Sequence, residues 1–226
     1  MADRKKSGIF SKLTYKQFIR LVIIIFAVVL VLGVAVFALV SYRVENGFWF
    51  WEAPKPDDSN RSINYYEADY GENIFENPRY MDKIRDIYFG DESVFYLLTG
   101  DDYEKAGDDA VFFRDFFDAV IRGDNEKYNS FFRKGYYTPQ NPPKDEFTMQ
   151  KIYDIRVLRN GTSEVELDGK TVTLKNYIVE YKIMQNNGTF RTGIDHDSYQ
   201  PQLFRLMEED GKLKVHSILD IKVINK

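Results

Sequence analysis

The sequence predicts an α+β chain: an N-terminal transmembrane helix, then a domain in which helices precede an antiparallel sheet. Three observations carry this. Leu21–Tyr42 (LVIIIFAVVLVLGVAVFALVSY) is a run of twenty-two residues without a charge. At about 1.5 Å per residue such a run crosses a hydrocarbon core of roughly 30 Å. Residues 108–122 repeat apolar side chains at three- and four-residue spacing, the period of an amphipathic helix. After residue 150 the period falls to two, with Gly-containing turns between the runs, as in paired strands. Helices first and a sheet afterwards is the α+β order.

The segment before the apolar run sets its orientation. Residues 1–20 hold six Lys/Arg (Arg4, Lys5, Lys6, Lys12, Lys16, Arg20) against Asp3 alone. Short basic flanks stay cytoplasmic, so the remainder is expected outside, with the tail touching anionic lipid. The run is too long for the apolar region of a cleaved signal, about 7–15 residues, and has no clean A-x-A site. It reads as an uncleaved anchor. Phe48, Trp49, Phe50 and Trp51 follow it and resemble the aromatic belt of a membrane interface. The other reading packs these four rings into the domain. With the tail at +5 and the whole chain at −4, the rest carries about −9. An acidic domain of this kind is a poor partner for nucleic acid, whose phosphates call for Lys/Arg.

The chain contains no cysteine. Extracytoplasmic eukaryotic domains of this size are often disulfide-bonded, so the composition fits the outer face of a bacterial membrane. It also excludes thiol chemistry. Sequons at Asn60, Asn160 and Asn187 occur, but two are Asn-Gly pairs, which turn chemistry explains. The expected organisation is a basic tail (1–20), the transmembrane helix (21–42), a juxtamembrane segment and linker (43–77) and an extracytoplasmic domain (78–226).

Residues 52–77 are polar and aperiodic, a linker with one ordered patch at Tyr65-Tyr66. Asn77-Pro78 starts a helix carrying Tyr80, Ile84, Ile87 and Tyr88 on one face up to Gly90. Val94–Leu98 is a short apolar run that period alone leaves open between helix and strand. Residues 108–122 form the clearest helix, with Phe112, Phe113, Phe116, Phe117, Val120 and Ile121 in one stripe and aspartates at its positive end. Gly123 stops it, and Asp124 or Asn125 caps a second short helix through Tyr128, Phe131 and Phe132.

From Lys151 to Arg159 the pattern sets Tyr153, Ile155 and Val157 against Ile152, Asp154 and Arg156. Turns are expected at Asn160-Gly161, Asp168-Gly169, Asn187-Gly188 and Asp210-Gly211, the third being the strongest hairpin signal. Tyr177, Val179, Tyr181 and Ile183 alternate along one strand. Gly193 and Pro201 mark a break within 189–209. Leu213, Val215, Ser217, Leu219, Ile221 and Val223 share a face of the last strand. Tight turns between consecutive strands make an antiparallel meander.

Phe112–Ile121, Gly123-Asp124 and Tyr128–Phe132, followed by strands through Ile224, resemble the nuclear transport factor 2-like superfamily over about half the chain. The resemblance implies a cone-shaped domain, its helices lying in the concavity of a curved antiparallel sheet. With the short cytoplasmic tail and single anchor, the layout is similar to the bitopic scaffold subunit of type IV secretion and conjugation systems. That resemblance implies an outer domain acting through protein contacts, with the lipid bilayer and other envelope proteins as partners. No functional residue carries across. Self-association into a homo-oligomer has weak support from Ala27, Gly33, Ala35 and Ala38 in the anchor, since small residues permit close helix packing.

Superfamily enzymes hold a catalytic Asp or His inside the cone. Here the inward candidates are Tyr153, Tyr177, Tyr181 and Ser217 beneath Phe113 and Phe117, none of them charged. These six are the candidate ligand pocket, suited to a small apolar ligand. They are equally ordinary core. Asp195-His196-Asp197 with Tyr199 is the most site-like cluster, but adjacent strand residues point to opposite faces, so the three converge only if Gly193 bulges the segment. His216 is expected towards solvent. Asp101-Asp102 and Asp108-Asp109 lack calcium-loop spacing. No phosphate-binding glycine loop, nucleophile elbow or H-E-x-x-H occurs. The expectation is no catalytic residue, no metal, no cofactor and no enzyme. The chain reads as an anchored scaffold of the bacterial cell envelope, with a small-molecule sensor built on the tyrosine-lined cone as the alternative.

Overall fold

The chain divides into two units, Met1–Lys55 and Pro56–Lys226, and the architecture below is that of the second. The computed structural model describes Ile24 and residues 63–167 and 169–221. The basic tail, the expected membrane helix apart from Ile24, and the ring quartet Phe48–Trp51 lie outside the described residues. Among the described residues no helix is long and apolar enough to cross a membrane.

A six-stranded sheet in the order β2-β1-β3-β4-β5-β6 forms the body. The strands are β1 (Ile87–Gly90), β2 (Phe95–Leu98), β3 (Ile152–Leu167), β4 (Lys170–Ile183), β5 (Gln202–Glu209) and β6 (Lys212–Asp220). The helices are α1 (Pro78–Met81), α2 (Asp102–Ala106), α3 (Asp108–Ile121) and α4 (Asn125–Ser130). β3 to β6 run as an antiparallel meander. The sheet as a whole is mixed, because β1 pairs with β3 in parallel.

α3 forms where its apolar stripe predicts, and that stripe is the core. Phe113, Phe116 and Phe117 are at most 2% exposed. Phe113 meets Tyr177 of β4 at 5.0 Å between ring centroids, Phe116 meets Phe204 of β5 at 5.5 Å, and Phe117 meets Tyr181 at 5.3 Å. All three pairs are edge-on, the arrangement that sets a positive ring edge against a negative face. At the start of α3, Asp109 accepts from Lys175 Nζ at 2.7 Å and from the Tyr177 hydroxyl at 2.5 Å. The helix therefore docks by a polar contact at one end and by rings along its length.

α3 ends in a Schellman closure: Asp124 N–H returns to the Ala119 carbonyl and Gly123 N–H to Val120. Gly123 has φ +68°, and a Cβ there would lie 2.9 Å from the Phe147 carbonyl oxygen, so both conformation and space require glycine. The Asp124 side chain then caps α4 by accepting from Lys127 N–H at 2.8 Å.

The helix expected from Pro78 to Phe89 is only one turn. Asn77 caps it as anticipated, accepting from Arg79 and Tyr80 N–H. Tyr80 is fully buried, its hydroxyl donating to the Ile152 carbonyl at 2.9 Å. The Ile84 carbonyl is taken by Asp154 N–H at 2.8 Å, so the chain joins the sheet instead of continuing the helix. Residues before Pro78 also contribute to the core, since Ile74 in a 3-10 turn is fully buried. The open run 94–98 resolves as strand β2.

The strand turns differ from expectation in two places. Asn160-Gly161 is a bulge within β3, where the register shifts between Arg159 and Thr162 and Gly161 sits at φ +71°. Asn187-Gly188 makes no hairpin, because β4 and β5 are joined by the long segment 184–201. The asparagine side chains organise that segment instead. Asn186 Nδ2 donates to the Arg191 and Ile194 carbonyls, and Asn187 Oδ1 accepts from Thr189 N–H. Asp210-Gly211 does close a two-residue hairpin, both residues having positive φ, the type I′ geometry that matches strand twist.

Truncating Phe116 removes a side chain packed on three elements, so Phe116→Ala should cost about 3–5 kcal/mol in urea unfolding. Phe95→Ala, at a residue 37% exposed whose ring stacks on Tyr88 at 5.9 Å, should cost less than Phe116→Ala in the same measurement.

Candidate functional site

The six residues of the expected ligand pocket do not share one face of the sheet. Phe113, Phe117, Tyr177 and Tyr181 are in ring contact and at most 2% exposed. Burial, with Asp109 beside it, raises Tyr177 above the ordinary range, and burial alone is the main cause of the same shift at Tyr181. Both hydroxyls therefore stay protonated at neutral pH, bonded to Asp109 and Gln202.

Tyr153 and Ser217 face the other way, for the same geometric reason. In β3 an irregularity at Asp154 (φ +51°) shifts the register, so Ile152, Ile155 and Val157 share the core face. Tyr153 instead pairs with Lys182, on the side away from Tyr181 and Ile183. In β6 the register shifts at His216, pairing Ser217 with Arg205 opposite to Phe204 and Leu206. Past that point Ile218, not Ser217 or Leu219, packs on the core, and Leu219 is 47% exposed. A one-residue slip moves every later side chain to the other face.

His216 is half-buried. Desolvation, then the charges of Arg133 and Arg205, hold its imidazole below the usual value, so it is neutral near pH 7. Ser217 Oγ, His216 Nδ1 and the Nε atoms of both arginines are buried with no hydrogen-bond partner among the described residues.

The segment Asp195-His196-Asp197-Ser198-Tyr199 is irregular, yet its members still do not converge. His196 lies edge-on to Tyr66 at 5.5 Å. Asp197 accepts from the Tyr153 hydroxyl at 2.9 Å. Tyr199 donates to Asp154, whose carboxylate also takes Arg156 at 3.3 Å and Lys182 at 3.4 Å. Arg156 lies 4.7 Å and Lys182 4.4 Å from the centre of the Tyr199 ring. The outcome is a polar cluster on the outer sheet face that ties the 195–199 segment to β3 and β4.

Its chemistry is that of a clamp. Burial first of all pushes the Tyr153 and Tyr199 hydroxyls well up, so neither is a proton shuttle near neutrality. Partial burial raises Asp154, but the Tyr199 hydroxyl, Arg156 and Lys182 outweigh it and the carboxyl titrates below its ordinary value. Asp154 and Asp197 both occupy the left-handed region, which costs a side chain of this type roughly 1 kcal/mol; their contacts hold them there.

A cleft of about 370 Å³ is lined by Tyr66, Glu72, Gln150, Lys151, Met184 and Asn187, among others. Lys151 is nearly buried, bridged to Glu72 at 2.5 Å and to Gln185 at 2.8 Å. None of the six predicted pocket residues lines this cleft or the neighbouring one. No group of three or more His, Asp and Glu side chains among the described residues has the arrangement of a metal site. The sequence singled out Asp197 and Tyr199, but their pairing with Tyr153, Asp154, Arg156 and Lys182 carried no signal, because these partners come from β3 and β4. Comparison with protein-family models, with curated proteins and with solved structures finds no match for this chain.

The unfolded Asp154 carboxyl titrates near about 3.9, and the folded one lower. The stabilisation it gives is therefore complete above that value and is lost as pH falls through the folded value. Wild type should melt above Asp154→Asn at about pH 6, and the gap should close as pH falls through the lowered folded value. Thermal melts across that range check the sign, and a gap persisting in acid would remove the carboxylate charge as the cause.

Proposed function

We propose that the protein is a single-pass membrane protein of a bacterial envelope whose outer domain is an interaction or scaffold subunit. Conjugative secretion is the machinery its layout resembles. The observation that carries the reading is the uncharged run Leu21–Tyr42 behind a tail of six Lys/Arg, which specifies an anchor with the amino terminus inside. A second feature supports the interaction role. Phe113, Phe117, Tyr177 and Tyr181 fill the position where a small-molecule site was expected, so a function of this domain falls to its surface. For the sensor alternative, the two clefts described above lie away from those rings.

The absence of cysteine makes topology testable without background. Ser7→Cys in the tail and Thr171→Cys on the exposed end of β4 are labelled in intact cells with a membrane-impermeant maleimide. Thr171→Cys should label at once and Ser7→Cys only after permeabilisation; the reverse pattern overturns the orientation. Gentle detergent extraction followed by mass spectrometry then tests the scaffold role. A reproducible set of envelope proteins is expected, and a solitary protein removes that role while leaving the anchor.

A further inference from the structure

The two edges of the sheet are treated differently. At the β6 edge, the segment after α4 pairs with the strand: Arg133 N–H donates to the Val215 carbonyl at 3.1 Å, and Val215 N–H to Phe131 at 2.8 Å. At the other edge β2 ends the sheet, and no described residue pairs with its outer side. β2 is also the apolar edge. Val94 is 40%, Phe95 37%, Tyr96 61% and Leu97 36% exposed. Natural edge strands are usually blunted by lysine, proline, a bulge or a covering loop; residues 94–98 have neither lysine nor proline, and β1 pairs with β2 in unbroken register.

The outward groups of this edge follow from the hairpin. Asp91 N–H donates to the Val94 carbonyl at 2.8 Å, and antiparallel pairs alternate between bonded and non-bonded. Residues 94, 96 and 98 therefore face β1, and the N–H and C=O groups of Phe95 and Leu97 point to the open side. A Cβ at Gly90 would lie 1.9 Å from the Val94 carbonyl oxygen, so only glycine permits this close turn.

Charge identifies the occupant. Asp91 and Glu92 precede the strand and Asp101 follows it, all exposed, and Glu92 and Asp101 have no ion pair among the described residues. If a second copy added across Phe95 and Leu97, Asp91 of each chain would oppose Asp101 of the other, with Glu92 beside them. Like charges directly opposed across strands are destabilising. We propose that β2 is a docking edge for an extended segment of another protein, apolar at alternate positions and flanked at both ends by Lys or Arg. Main-chain hydrogen bonds supply the affinity, Phe95 and Leu97 the apolar contact, and the acidic ends the selection. This deepens the interaction role proposed above, and it is tested separately from the anchor.

The test uses the full-length protein in detergent and a fluorescent peptide of alternating valine and threonine with two lysines at each end. A glutamate-flanked peptide is the comparison. The lysine-flanked peptide should bind and the glutamate-flanked one should not. Leu97→Pro removes an outward N–H without touching the β1 ladder and should weaken binding about fivefold to tenfold, the scale of one lost hydrogen bond with its neighbouring contacts. The double variant Glu92→Lys, Asp101→Lys should prefer the glutamate-flanked peptide, which tests the idea even if Leu97→Pro melts early. Absence of binding, equal binding of both peptides, or an unchanged preference in the double variant overturns the proposal. So does a dimer of the full chain that Leu97→Pro dissolves, since the occupant is then a second copy. A chain that labels in the proposed orientation but binds neither peptide loses the docking edge alone.

Discussion

The domain depends on one contact: the phenylalanine stripe of α3 pressed edge-on into the aromatic face of β4 and β5. A single phenylalanine buried this way is worth about 3–5 kcal/mol on truncation, a large share of the stability of an ordinary domain. Phe116 also touches Tyr128 of α4 and the Phe131 and Phe132 rings after it, so the same stripe places the second helix. That segment in turn meets β6 through Val215. The carboxylate of Asp109 fixes the near end of the helix to β4. Removing the stripe would leave the sheet with one bare apolar face and the helices without a seat.

Around this contact, small slips in strand register decide what each side chain does. Three of them matter: at Asp154, at Asn160-Gly161 and at His216. The first leaves Tyr153, still buried, on the sheet face opposite Ile152 and Ile155, where it joins Asp197 in the cluster that holds the 195–199 segment. The third turns Ser217 outward and Ile218 inward. An insertion of one residue leaves the chain almost unchanged in composition, yet it exchanges core and surface for everything that follows until the next slip. Bulges also increase local twist, which bends the sheet around α3.

The proposed surface role draws on two features, the filled interior and the uneven edges. The interior rings pack on one another, and the outer polar cluster pairs Asp154 with Arg156 and Lys182. The β2 edge differs, because its apolar side chains are exposed and no described residue pairs with its outer main-chain groups. The acidic residues at its ends do for self-pairing what lysines do at other edges, while remaining compatible with a basic partner. The proposed role in assembly rests on this edge.

Much of this was legible in the sequence where local physics decides. The period of 3.6 along 108–122 gave α3 and its buried face correctly, and the alternation of Tyr177, Val179, Tyr181 and Ile183 gave β4. Gly123 and Asp124 marked the helix break, and Asp210-Gly211 the final hairpin, because those backbones need a particular residue type. Tertiary structure decided the rest. Tyr80, Ile84 and Ile87 fit a helix by spacing, but the Ile84 carbonyl found its partner in a bulge seventy residues away. Asn187-Gly188 had the residues of a hairpin, yet its side chains bond within a long loop. The parallel pairing of β1 with β3, the facing of Tyr153 and Ser217, and the exposure of β2 all depend on contacts distant in sequence. Local preference settles which conformation a short segment favours alone; which face it shows is settled by the neighbours that the fold brings to it.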